Sequence, residues 1–163
     1  YHEQTDTIYV YDAYAERQVM SSTVASMINK KGADIPVAWP KDGLQTRDGI
    51  QLAQQYRDHG VYMLPEWFTN PPTIGEKSGT VSVEGGIMDM LDRMESGRFK
   101  VFNTLYDWFG EYRMYHRKDG KLVKLKDDLM SATRYATLSL RHSTTKGSRW
   151  NDKGRLGPDV AVV

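Results

Sequence analysis

The sequence contains no cysteine among its 163 residues. This absence excludes a thiol nucleophile, a cysteine-ligated zinc site and a disulfide framework, and it fits a reducing compartment. No window approaches the roughly 18 apolar residues of a membrane-spanning helix, and the N-terminus lacks the charged-then-apolar pattern of a secretion signal. We therefore expect neither a membrane protein nor an exported one. Any metal chemistry must use carboxylates or the four histidines.

Several common enzyme fingerprints are also missing. The sequence has no G-x-x-x-x-G-K-[ST] loop, no G-x-G-x-x-G turn, no G-x-S-x-G elbow and no H-E-x-x-H helix. The enzyme classes that depend on these motifs are therefore excluded. What is present is an ordinary globular composition, with 39% hydrophobic and 26% charged residues, in a chain of about the length of one domain.

Basic residues are concentrated in the second half of the chain. Residues 93–126 contain nine Lys and Arg against four acids, and residues 134–163 contain six against two, although the net charge is only +1. One interpretation is a solvated charged face, and the other is a groove that binds a polyanion. The composition leaves both open.

The apolar pattern predicts strands alternating with helices. Alternating or continuous apolar runs predict strands at 7–13, 35–39, 61–64 and 99–102, and helical spacing predicts helices at 20–32, 46–59, 82–94, 104–110 and 128–141. The Asp119-Gly120 pair predicts a tight hairpin between 112–118 and 121–126, since both residues tolerate positive φ. With a long loop at 66–82, this order predicts an α/β fold on a mainly parallel or mixed sheet.

Carboxylates stand at the ends of predicted elements. Asp42 follows the buried strand at 35–39, at the edge where open α/β sheets bind ligands. Asp127 and Asp128 begin the last predicted helix, beside the basic hairpin. Acids gathered from different elements repel one another, so such a cluster is tolerated mainly when it holds Mg²⁺ or Mn²⁺. The alternatives are a simple turn at Asp42 and a helix N-cap at Asp127-Asp128.

Five segments carry a more specific signal than any of these motifs. They are IPVAWPKDGLQ from Ile35, MLPE from Met63, SVEGGIMDMLDRM from Ser82, GRFKVF from Gly97 and KDDLMSATRYA from Lys126. In this order they resemble the C-terminal nuclease domain of tailed-bacteriophage large terminase subunits. The resemblance implies a ribonuclease H-like fold over residues 1–142, with a mixed central sheet flanked by helices, to which the basic hairpin is added. The composition of residues 143–163, rich in Gly, Ser, Thr, Lys and Arg, predicts a flexible basic tail.

The resemblance also implies a function and a site. Members of this family cut concatemeric double-stranded DNA when packaging of the viral genome begins and ends, using acids that bind two divalent metal ions, Mg²⁺ or Mn²⁺. It places metal ligands on Asp42 and Asp128, with Asp127 as a second ligand or orienting group. The bases expected to contact DNA phosphates are Arg113, Arg117, Lys118, Lys121 and Lys124.

The expected partners are double-stranded DNA, the terminase ATPase domain, the small terminase subunit and the capsid portal, in the host-cell cytoplasm and without a membrane. The family's first acid lies on a strand upstream of residues 7–14. We therefore expect this chain to lack that strand and one metal ligand, and to bind metal weakly or cleave poorly. Two alternatives remain: an interaction module that docks on the portal or ATPase motor, and another ribonuclease H-like nuclease such as a junction resolvase.

Overall fold

The computed structural model describes residues 1–70, 83–123 and 125–142. The chain forms two compact units, one from Tyr1–Ala15 with Val83–Val163 and one from Glu16–Ser82. In chain order the helices and strands are β1 (Ile8–Val10), α1 (Ser21–Gly32), β2 (Thr46–Arg47), β3 (Ile50–Gln51), α2 (Leu52–Asp58), α3 (Val83–Glu95), β4 (Phe99–Val101), α4 (Tyr106–Met114), β5 (Arg117–Lys118), β6 (Lys121–Leu122) and α5 (Asp128–Leu138). Short 3₁₀ turns occupy Glu3–Thr5, Lys41–Leu44 and Leu140–His142.

The first unit contains a parallel pair of strands. β1 lies beside β4, with Ile8 opposite Phe99 and Val10 opposite Val101. Ile8 and Phe99 are both buried, because alternate residues of a strand point to the same face and this face meets the core. The strands predicted at 7–13 and 99–102 are confirmed in shortened form.

Trp108 and Met130 are the largest fully buried side chains of the first unit. The Trp108 ring stacks on Phe99 with the centroids 6.4 Å apart, and its indole N–H donates to Thr133 Oγ1 at 2.9 Å. A buried indole N–H needs such an acceptor, so this bond fixes how α4 lies on α5. A Cβ added to Gly86 would lie 2.6 Å from Arg134 Cγ, which shows that α3 also approaches α5 closely.

The second unit packs around a separate apolar cluster. Its buried members are Ala25, Trp39, Ala53, Val61 and Met63. The strands predicted at 35–39 and 61–64 meet in a single parallel bridge, between Val37 and Met63. The two segments are therefore parallel neighbours, as expected in a mainly parallel or mixed sheet, but the bridge is too short to form a regular strand.

The helix predicted at 46–59 is wrong in its first half. Residues 46–51 form the hairpin β2–β3, in which Thr46 pairs with Gln51, and the helix begins only at Leu52. The turn residues Asp48 and Gly49 have φ of 54° and 79°, a conformation that Asp-Gly pairs adopt readily. Ile50, whose spacing favoured the helix, is 45% exposed.

The predicted basic hairpin is confirmed, with Lys118 opposite Lys121 and positive φ at both turn residues. Its strands are shorter than predicted, because α4 continues to Met114 and takes the start of the segment expected at 112–118. The longer helix is stabilised by stacking of Tyr112 on Trp108, four residues earlier, with the ring centroids 5.3 Å apart.

The last predicted helix is confirmed as α5, which ends at Leu138 and is followed by the 3₁₀ turn. Most of the loop predicted at 66–82, Lys124 and the tail predicted at 143–163 lie outside the described residues. In the part of the chain that the structure covers, no helix has the length and apolarity needed to cross a membrane.

Candidate metal and DNA sites

Asp42 lies in the second unit, in the 3₁₀ turn that follows Trp39 and Pro40. Its side chain is exposed. Its backbone oxygen accepts a hydrogen bond from the backbone N–H of Gln45 at 3.0 Å, and the amide of Gln45 approaches the carboxylate at 3.5 Å. Such a contact is at the outer limit of a hydrogen bond, so the carboxylate stays accessible to a cation.

The position of Asp42 is fixed by the buried indole of Trp39. The indole N–H donates to the carbonyl of Leu64 at 2.7 Å, and the guanidinium of Arg57 lies 5.4 Å from the ring centroid. Gly43 packs directly on the ring, since an added Cβ would lie 2.4 Å from Trp39 Cε3. From sequence alone Gly43 looks like a turn glycine. In the structure it is the absence of a side chain that lets its backbone lie against the Trp39 ring.

Asp127 and Asp128 lie in the first unit, at the N-terminus of α5. Asp127 holds the N-cap position, but its side chain makes no capping bond to the helix backbone. Its carboxylate instead accepts a bond from the hydroxyl of Ser131 at 3.3 Å. Asp128 is the first residue of the helix and is exposed. Asp127 therefore occupies the N-cap position of the alternative interpretation, without the side-chain bond that such a cap usually makes.

Glu111, on α4, supplies the cap instead. One of its carboxylate oxygens accepts hydrogen bonds from the backbone N–H groups of Leu129 at 2.7 Å and Met130 at 3.1 Å. Burial raises the pKa of Glu111, and the charges of Asp128 and Asp127 raise it further, while the two N–H bonds act in the opposite direction. No local sequence signal indicates this cap, since acceptor and donors are far apart in the chain.

The carboxylates of Asp42, Asp127 and Asp128 have the donor chemistry that Mg²⁺ and Mn²⁺ prefer. Asp42 belongs to the second unit, and Asp127 and Asp128 belong to the first unit, where they lie beside Glu111. Among residues 1–70, 83–123 and 125–142, no three His, Asp or Glu side chains form a group that could hold a metal ion. The donor types fit a divalent cation, and the metal site stays a prediction.

The predicted DNA-contacting bases surround the hairpin. Arg113 lies in the last turn of α4, Lys118 and Lys121 lie on β5 and β6, and all three are exposed. Lys124 lies outside the described residues. The described bases therefore form an exposed cationic group on one α4–hairpin segment.

Arg117 differs from the other hairpin bases because it already has an acidic partner. Its Nη1 donates to Glu84 Oε1 at 3.1 Å, and its Nη2 donates to Glu84 Oε2. This bidentate pair lowers the pKa of Glu84 and raises the pKa of Arg117. A carboxylate thus occupies the position at which a DNA phosphate was expected.

Two further bases of the 93–126 stretch serve the fold. Arg93 and Arg98 both bind the carboxylate of Asp6, the first with an N–O distance of 3.0 Å. The Tyr1 hydroxyl donates to the same carboxylate at 2.7 Å. These bonds hold the pKa of Asp6 below its ordinary value. Part of the basic excess therefore ties the N-terminal turn to α3 and β4 and does not face a ligand.

The architecture is that of a ribonuclease H-like domain. The structure is similar to a solved structure described as the "P22 Large terminase nuclease domain", with a TM-score of 0.71 and 40% sequence identity. The likeness covers 82% of this chain and 67% of the solved one. A family described as "Terminase RNaseH-like domain" matches residues 2–140. The chain belongs to this family.

Curated relatives agree with this assignment. The large terminase subunit of Salmonella phage P22 is 48% identical over 121 residues, which are 72% of this chain and 22% of that protein. The large terminase subunit of Enterobacteria phage LP7 is 50% identical over 115 residues, or 69% of this chain and 22% of that protein. The chain thus spans about a fifth of the length of the curated relatives that it matches.

These comparisons confirm the ribonuclease H-like fold and the family that the sequence segments predicted. The roles of Asp42, Asp127, Asp128 and the hairpin bases are not tested by them and stay predictions. The functional features that sequence reasoning missed are the capping carboxylate of Glu111, the ring contact of Gly43 and the Glu84 partner of Arg117.

Proposed function

We propose that this chain is the metal-dependent endonuclease domain of a viral DNA-packaging terminase. In this role it cuts concatemeric double-stranded DNA when packaging begins and ends. The observation that carries the proposal is the 40% identity, over 82% of the chain, to a solved terminase nuclease domain. The identity of 48% to a large terminase subunit supports it.

The proposed chemistry is hydrolysis of a phosphodiester, with Asp42 and Asp128 as metal ligands and Asp127 as a second ligand or orienting group. Two divalent ions, Mg²⁺ or Mn²⁺, would supply an activated water and neutralise charge on the phosphate. Two observations support the acids. Asp42 and Asp128 are exposed, and the side chain of Asp127 makes no capping bond to α5, two of whose N-terminal N–H groups bind Glu111.

The proposed DNA contacts come from the hairpin and the end of α4. Arg113, Lys118 and Lys121 are exposed cations, and Arg117 and Lys124 complete the proposed set. Because these groups meet phosphates and not bases, binding should be salt-sensitive and largely independent of sequence.

The proposed setting is the packaging machinery in the host-cell cytoplasm. The curated relatives are about five times as long as the matched region, which leaves room for the ATPase domain of a terminase in the same polypeptide. We propose that domain, the small terminase subunit and the capsid portal as partners.

Plasmid nicking in the presence of Mn²⁺ tests the proposal. The assay is run on the 163-residue chain and on the chain joined to any residues that precede it in its source polypeptide. Asp42→Asn or Asp128→Asn should lower the nicking rate roughly 100-fold or more, as expected when charge stabilisation at the reacting phosphate is lost. Undiminished nicking in both variants would overturn the site assignment.

Matched controls separate the loss of a metal ligand from the loss of a surface charge. Asp58→Asn is the control in the second unit and Asp107→Asn is the control in the first, because both are exposed acids on helices. Both controls should nick DNA at the rate of the unmodified chain. A clear preference for four-way junctions over linear duplex would instead favour a junction resolvase.

A further inference from the structure

The ion pair between Glu84 and Arg117 joins two elements that lie 33 residues apart in the chain. Glu84 lies in the first turn of α3, and Arg117 begins the basic hairpin. Both side chains reach solvent, with 43% of Arg117 and 56% of Glu84 exposed. The pair is therefore a surface contact that a ligand can reach.

Within the hairpin Arg117 is the cation with a carboxylate partner. Lys118 and Lys121 face each other across the two strands, and the described residues include no salt bridge to either lysine. Like charges placed opposite one another in a strand pair repel. The hairpin thus presents two lysines to an incoming anion, while the charge of Arg117 is neutralised by Glu84.

A guanidinium binds carboxylate and phosphate in the same bidentate geometry. Glu84 and a DNA phosphate are therefore alternative partners for the same donors. Exposed ion pairs contribute little net stability, so exchange of one anion for the other is feasible. Since the pKa of Glu84 is lowered by Arg117, Glu84 stays ionised at neutral pH and competes as a full charge.

We propose that Glu84 competes with the DNA backbone for Arg117 and thereby limits how many phosphates the hairpin neutralises. This inference rests on the proposed function, since it assumes that the hairpin binds DNA. Glu84 then acts as a positioning residue, whose removal adds one phosphate contact. The domain then holds DNA more weakly with Glu84 than without it.

The test is a binding measurement without cleavage. Fluorescence anisotropy of a short labelled duplex is recorded with the full 163-residue chain in EDTA, over salt concentrations from about 50 to 200 mM. The variants are Glu84→Gln, Arg117→Ala and the double variant. Glu95→Gln is the matched control, because Glu95 is an exposed acid in the last turn of the same helix. Circular dichroism establishes that each variant is folded.

We expect Glu84→Gln to raise DNA affinity roughly three- to tenfold at low salt and to steepen the slope of log K against log salt by about 0.9, the value for one added phosphate contact. The gain should require Arg117, so Glu84→Gln should raise affinity much less in the Arg117→Ala background. Glu84→Asp keeps the charge and should bind nearly as the unmodified chain does. Glu95→Gln should leave the slope unchanged.

Three results would overturn the inference. If Glu84→Gln raises DNA affinity equally with and without Arg117, Glu84 acts only as a negative charge that repels DNA. If Glu84→Gln lowers DNA affinity, Glu84 orients Arg117 toward DNA. An unchanged affinity would show that the two anions do not compete.

The proposed DNA site is tested separately. If the double variant Lys118→Ala, Lys121→Ala leaves DNA binding intact, the hairpin is not the DNA site. If that pair weakens binding while Glu84→Gln does nothing, only the competition is wrong.

Discussion

Glu111 on α4 caps α5 through Leu129, whose backbone N–H lies 2.7 Å from the Glu111 carboxylate. The donor is eighteen residues further along the chain, so this bond closes a tertiary contact as well as a helix end. An unsatisfied N-terminal N–H group is costly once it is screened from water. The start of the helix that carries Asp128 therefore depends on a side chain from another helix.

The first prediction concerns this cap and pH. Burial raises the pKa of Glu111, so the folded protein holds this proton more tightly than the unfolded chain does. Protonated Glu111 therefore stabilises the folded protein at pH values below the ordinary carboxyl pKa. This stabilisation is lost as the pH rises through the higher pKa that Glu111 has in the folded protein. Glu111→Gln cannot ionise and should lose less stability between about pH 4 and pH 7 than the unmodified chain.

Urea unfolding at a series of pH values measures this difference. The control is Glu95→Gln, which removes an exposed carboxylate from α3 and should leave the pH dependence of the unmodified chain in place. If Glu111→Gln follows the same pH curve as that control, the buried capping carboxylate does not titrate as inferred.

The second prediction concerns Asp6 and has the opposite sign. The Tyr1 hydroxyl and the Arg93 guanidinium lower the pKa of Asp6. Ionised Asp6 therefore stabilises the folded protein above the ordinary Asp pKa, and this stabilisation is lost as the pH falls through the lower pKa of the folded state. Asp6→Asn should cost about 1 kcal/mol at neutral pH, a modest value because solvent screens a partly exposed carboxylate. The cost should vanish in strong acid.

Thermal or urea unfolding of Asp6→Asn at neutral and acid pH checks this expectation. Asp48→Asn is the matched control, because Asp48 has a positive φ of 54°, close to the 47° of Asp6, and Asn accepts this conformation equally well. A cost for Asp6→Asn that does not change with pH would contradict the assigned role of its charge.

The third prediction concerns Gly43. An alanine methyl would lie 2.4 Å from the buried Trp39 ring, so the ring or the turn must move. Gly43→Ala should destabilise the protein by about 1–3 kcal/mol, as overpacking of a core does, and should reduce nicking because the neighbouring Asp42 is displaced. Gly110→Ala, on α4 with nothing within 4 Å, should stabilise by about 0.5–1 kcal/mol. Equal melting temperatures for the two variants would refute the close contact.

The fourth prediction concerns the buried bond between Trp108 and Thr133. Thr133→Val removes the acceptor of the indole N–H and should cost about 1–3 kcal/mol, because a buried donor is left unsatisfied. Thr137→Val is the matched control: this hydroxyl is also buried, and it only donates to a backbone carbonyl of the same helix. Denaturant unfolding should show the larger loss for Thr133→Val, and the reverse order would contradict the assignment.

The elements that the sequence predicted well are those with strong local signals. The hairpin at Asp119-Gly120 follows from two residues that tolerate positive φ, and α5 follows from apolar spacing after an acidic start. The same turn signal occurs at Asp48-Gly49, inside the stretch for which the spacing of Ile50, Ala53 and Tyr56 predicts a helix. Short apolar spacings match both helix and turn, so local pattern alone does not decide between them.

The sequence predicted which acids belong to the candidate site but not which residues they contact. Residue type and position in the chain indicated Asp42, Asp127 and Asp128 as acids at element ends. The partners that decide what such groups can do come from distant segments, as Glu111 does for the start of α5 and Glu84 for Arg117. Contacts of this kind depend on packing between helices, which periodicity along one chain does not encode.

The close approach of α3 to α5 at Gly86 leaves these two helices little room to move relative to each other. A methyl at Gly86 would lie 2.7 Å from Leu138 of α5, and interfaces packed this tightly do not deform gradually. The helix that carries Glu84 and the helix that begins at Asp128 therefore behave as one rigid frame. If a phosphate takes Arg117 as proposed, we expect the hairpin to move and Asp128 to keep its place at the start of α5.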